Sequence, residues 1–156
     1  MTAHRGIATL SSAIMICFFV LSTMEPEFLL IHFYQSLIYL LIILMLFYFQ
    51  DRWAYMIGMV APSVWLLLAY GVGLVGGAMR QVSRLMRAQT PTSDVSVVVA
   101  IMIVLSLALI ALCAYRWKRQ YAGTGKGLRT FLVSFVVVAA YNAILIVWFY
   151  NMVPAS

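Results

Sequence analysis

Five apolar runs, at positions 6–24, 27–49, 53–79, 95–115 and 128–150, carry no Asp, Lys or Arg in their interiors, and Glu27 and Arg129 lie at run ends. A bilayer core about 30 Å thick takes about 20 helical residues to cross. Lipid offers no water to backbone N–H and C=O groups, so each run must satisfy its own by forming a helix. Strands fit poorly, because the apolar residues are continuous and do not alternate as in a barrel wall. The expectation is an all-α integral membrane bundle of five transmembrane helices, forming one domain over residues 1–156.

Composition closes the other routes. The chain is 65% hydrophobic and 9% charged, with a mean hydropathy of +1.04, whereas soluble domains are about 25% charged. So few charges cannot cover a soluble surface, which excludes a soluble globular domain, a disordered tail and a disulfide scaffold. The net charge of +6 sits in short clusters between apolar runs. That pattern fits loops facing an anionic leaflet and not a nucleic-acid surface. Cys17 and Cys113 lie far apart inside apolar runs, with no CxxC or metal-ligand spacing, and read as buried thiols. The first run follows Arg5 and ends near Val20-Leu21-Ser22, a pattern shared with cleaved signal peptides. It is expected to be retained as a span.

Basic residues set the expected orientation. With the N-terminus inside, Arg5, Arg52, Arg116, Lys118, Arg119, Lys126 and Arg129 lie inside, and Arg80, Arg84 and Arg87 outside. Lys and Arg govern this rule, and they favour N-in, C-out. Short links then make neighbouring helices antiparallel. Pro26 belongs to the first turn of the second helix, with Glu25 and Glu27 at its positive end. Asp51 is the expected N-cap of the third helix, and Thr92-Ser93-Asp94 offers caps for the fourth. Gly123, Gly125 and Gly127 loosen the last inner loop.

The third helix stands apart. Its 27 residues over 53–79 would reach about 40 Å and must tilt or protrude. The pattern continues with Arg80, Arg84 and Arg87 on one side and Val82, Leu85 and Met86 on the other, a short amphipathic extension at the outer surface. Pro62 should kink the span, and Trp65 lies one turn beyond it. Ala69, Gly73 and Gly77 form a small-xxx-small ladder, a groove for another helix or for a flat ring.

Chemistry has little to work with. No acid or base of fixed charge lies deep in a span, which argues against proton pumps, voltage sensors and intramembrane hydrolysis, and no catalytic residue is assigned. Small multidrug exporters need an intramembrane acid and quinone-linked disulfide oxidoreductases need paired cysteines; neither signature is present. His32, Gln35, Ser36 and Tyr39 recur at helical spacing and form one polar stripe on the second helix. The stripe serves either interhelical contacts or a bound lipid, quinone or pigment-like ring. Glu25, Glu27 and His32 share one side, but three groups without a fourth ligand make a poor metal site, and none is assigned. His4 belongs to the opposite side, so a two-histidine haem is not expected. Arg116, Lys118 and Arg119, like the arginines of the extension, are expected to touch anionic lipid or an acidic partner. The neighbouring Gly-Thr-Gly-Lys-Gly segment lacks the spacing of a phosphate loop. Asn142, inside the fifth span, should find a buried partner in the bundle.

These features lead to a non-catalytic membrane subunit of a larger complex, in a bacterial cytoplasmic membrane or an organelle membrane, in contact with lipids and other subunits or copies. The alternatives are a small homo-oligomeric channel or carrier for a neutral or hydrophobic solute, lined by the His32–Tyr39 stripe and Asn142, and an interfacial enzyme using Glu25, Glu27 and His32.

Overall fold

A computed structural model describes residues 2–48, 50–121, 125 and 127–152, without the side chains of residues 2, 3, 150 and 152. Lys126, Gly123 and the side chain of Tyr150 therefore lie outside the described residues. The elements are α1 (Thr2–Met24), a 3-10 turn (Pro26–Phe28), α2 (Leu29–Phe47), α3 (Asp51–Gly71), α4 (Leu74–Met86), α5 (Asp94–Tyr121) and α6 (Gly127–Met152). Among the described residues there are no strands, and five of the helices are long and apolar enough to cross a membrane.

α1 and α3 each pack against both α2 and α5, which closes a four-helix ring. α6 rests outside this ring on α3 and α2, while α4 packs on α5. The consequence is a central α3: 56% of its most apolar stretch is buried, against 22% in α6. Ile7, Ile14 and Phe18 of α1, Tyr39 and Ile42 of α2, Tyr55 of α3 and Met102 and Leu109 of α5 fill the ring interior. The outward faces are apolar too, including Ile16, Leu44, Val104 and much of α6.

Alternating helix directions gather the loops into two ends, in the grouping expected from the runs. At one end His4 Nε2 lies 3.3 Å from Asp51 Oδ2 and 3.0 Å from the Tyr55 hydroxyl, and Arg52 Nε donates to Thr130 Oγ1 at 2.9 Å. At the other, the Phe28 and Phe149 rings meet at 5.6 Å.

Several boundaries depart from expectation. The third span is not one 27-residue helix: α3 ends at Gly71, and Gly73 adopts φ +80° ahead of α4. Only glycine takes that left-handed conformation readily, so the chain turns there and the amphipathic segment becomes a separate helix. Pro26 opens a 3-10 turn of its own and not the first turn of α2, since Phe28, at φ −103° and ψ 11°, interrupts the helical path. Asp51 is not an N-cap; Gln50 occupies that position with no side-chain cap bond, and Asp51 turns to His4. Ser93 does cap α5, accepting from the Ser96 N–H at 3.3 Å. α5 and α6 run past the apolar boundaries, with 28 and 26 residues. At 1.5 Å per residue, α5 spans about 42 Å, longer than a bilayer core.

Candidate ligand cavity

At the end where α1 meets α2, the ring is not filled. A cavity of about 400 Å³ opens there between all six helices. Its walls are Phe18 and Leu21 from α1, Ile31, His32 and Gln35 from α2, Trp65, Leu68 and Ala69 from α3, Leu74 from α4, Val95 and Val99 from α5, and Ile146 and Phe149 from α6, with Glu25, Phe28 and Val72 at the turns. That volume and its mostly apolar lining with a few polar groups are typical of small-molecule sites.

Local chain geometry brings the polar groups together. The Glu25 N–H donates to the Leu21 carbonyl at 2.8 Å, ending α1, and the Glu25 carbonyl accepts from the Phe28 N–H at 3.0 Å. The 3-10 turn fixed this way holds the Glu25 carboxylate over the first turn of α2, with Oε2 3.3 Å from His32 Nε2. Glu27 faces out and joins no cluster. Among the described residues no group of three metal-ligating side chains forms. The His32 Nδ1 atom is buried with no hydrogen-bond partner among the described residues, and Gln35 lines the cavity beside it.

Phe18 organises the wall. Its ring lies 6.2 Å from His32, 5.8 Å from Tyr39 and 6.1 Å, edge-on, from Trp65. Below it a second space of about 10 Å³ is lined by Gln35, Tyr39, Trp65, Tyr141 and Asn142 among others. The deeper ring is packed solid by Ile42, Met102 and Leu109.

The polar stripe divides. His32 and Gln35 line the large cavity; Ser36 is fully buried and donates to the carbonyl of Phe33 at 2.6 Å; Tyr39 is buried beneath. Asn142 faces the small space while Nδ2 donates to the Val138 carbonyl of its own helix at 2.9 Å. The small-residue ladder does not exist as one face. Ala69 lines the cavity, Gly73 occupies the break, and Gly77 packs on α5, where an added Cβ would lie 3.2 Å from Ser96 Oγ. The close helix approach lies instead at Gly58, against Cys113. Arg80 and Arg84 are exposed on α4, and Arg87 is exposed at its C-cap. Lys118 and Arg119 are exposed in the last turn of α5, and Arg116 is half-buried there.

Three contacts escaped the sequence. The His4–Asp51–Tyr55 cluster, the Arg52–Thr130 bond and the bond from the Tyr141 hydroxyl to the Tyr34 carbonyl each join distant parts of the chain. Spacing within one helix gives no signal for any of them. Fold and cavity together fit an integral membrane protein. No family model, curated protein or solved structure matches the chain.

Proposed function

We propose that this chain is a non-catalytic membrane protein that works by holding an amphiphile, a molecule with an apolar body and a polar head, inside its bundle as part of a larger membrane assembly. The observation that carries this reading is the cavity of about 400 Å³. Its depth is apolar and aromatic, and its polar groups (Glu25, His32 and Gln35) lie together on the wall. The orientation is N-in, C-out, which puts the cavity on the outer side. A through-channel finds less support, because Ile42, Met102 and Leu109 close the ring below. Catalysis finds less support as well, since Glu27 lies apart from the Glu25–His32 pair.

Native mass spectrometry of protein released from its own membranes tests the reading. The wild-type chain should carry a bound amphiphile, and Ala69→Trp, which fills the wall, should lose it while keeping its helix content. A folded wild-type chain with no adduct, or an adduct that survives Ala69→Trp, would sink the proposal.

A further inference from the structure

The cavity is asymmetric in charge. Among the described residues, Glu25 is the one Asp, Glu, Lys or Arg on its walls. The arginines at the same end, Arg80 and Arg84 on α4 and Arg87 at its C-cap, are exposed, and Arg80 Nε turns back to donate to the Gly76 carbonyl at 3.3 Å. Four aromatic residues, Phe18, Phe28, Trp65 and Phe149, complete the picture. Ring faces attract cations, most strongly where water is excluded. A carboxylate at the edge of an apolar space favours an opposite charge and repels a like one far more than it would in water.

We infer that the cavity selects an amphiphile with a cationic head, an amine or quaternary ammonium, seated beside Glu25 and the aromatic walls. This rests on the proposal that the cavity binds an amphiphile at all. An anionic head would have to lose its water next to Glu25, with no Lys or Arg among the described wall residues to receive it. A neutral head would use His32 and Gln35 and be indifferent to the carboxylate. His32 engages one carboxylate oxygen, Oε2, at 3.3 Å.

The test uses the full chain in an uncharged maltoside detergent, so that no lipid ammonium competes. Decyltrimethylammonium, decanol and decanoate share an apolar tail and differ in head charge. Each is titrated while thermal unfolding and tryptophan emission are followed, with Ala69→Trp as the filled-cavity baseline. The cation should bind about tenfold or more tightly than decanoate, because the Glu25 carboxylate beside an apolar space attracts one head and repels the other. Glu25→Gln should bring the cation to within about threefold of decanol, whose binding it leaves in place. Equal affinity for cation and decanol in the wild type, or a cation preference that survives Glu25→Gln, overturns the inference while the cavity reading stands. Failure of all three probes to bind the wild type overturns both. Should Glu25→Gln not fold, the wild-type ranking of the three heads decides alone.

Discussion

Gly58 on α3 faces Cys113 on α5 so closely that a Cβ on the glycine would lie 2.7 Å from the sulfur. In lipid, helices gain nothing from leaving water behind, so close packing of small residues becomes a main source of association. Ala54 and Ala61, about one turn to either side on the same helix, are buried as well. Gly58→Ala should therefore cost about 1–3 kcal/mol, the usual range for overpacking, and lower the unfolding temperature in detergent. Because the clash is with one atom, Cys113→Ala in the same chain should restore most of the loss. A double variant no more stable than Gly58→Ala would show that the strain lies elsewhere.

What could be read from the sequence, and what could not, follows from where each kind of information sits. The five long apolar helices are legible because length and continuous apolarity belong to each run alone. The end-to-end grouping of Arg5, Arg52, Arg116 and Arg129 follows from their alternation. The break at Val72-Gly73 is not legible, since glycine is common within membrane helices and only its backbone angle reveals the turn. The same holds for the 3-10 turn that separates Glu25 from Glu27, two residues apart in sequence yet turned in different directions. A stripe such as His32 to Tyr39 reports a shared face. It does not report where neighbouring helices part to leave a cavity.

Gly73 offers a direct test of that break. A residue with a Cβ pays roughly 1–2 kcal/mol for the left-handed conformation, and Gly73 has open space around it. Gly73→Ala should thus destabilise through the backbone alone and loosen α4 from α5. Gly77→Cys paired with Ser96→Cys reports the docking, because an added Cβ at Gly77 meets Ser96 Oγ at 3.2 Å. Disulfide formation should be efficient with Gly73 present and fall several-fold with alanine there. Undiminished cross-linking would mean that α4 docks without the turn.

Orientation is checked at two exposed positions from opposite ends, Ser83 and Gln120. In a background with Cys17→Ala and Cys113→Ala, Ser83→Cys should react with an impermeant thiol reagent added outside intact cells or vesicles. Gln120→Cys should react only after the membrane is opened. The reverse pattern would place the cavity and the Glu25–His32 pair on the inner side. It would also require the three arginines of α4 to outweigh the larger basic cluster, against the usual rule.

α6 bears on whether the chain acts alone. Its buried positions, Thr130, Ser134, Val138 and Leu145, trace one narrow stripe toward the bundle. Phe131, Phe135, Val136, Ile144 and Val147 leave the rest of the helix exposed and apolar. Lipid can cover such a face, but a helix held by one stripe and by the Tyr141–Tyr34 bond gains stability from a second neighbour. In an assembly, a photo-reactive residue at Val136 should give one discrete protein adduct of fixed mass in native membranes. The same group at Val104 on α5, exposed at 66% against 63% for Val136, should give lipid adducts. Lipid adducts at both positions would leave the chain as a self-contained amphiphile binder, because packing interactions specific to a partner protein would then be missing from its broadest free face.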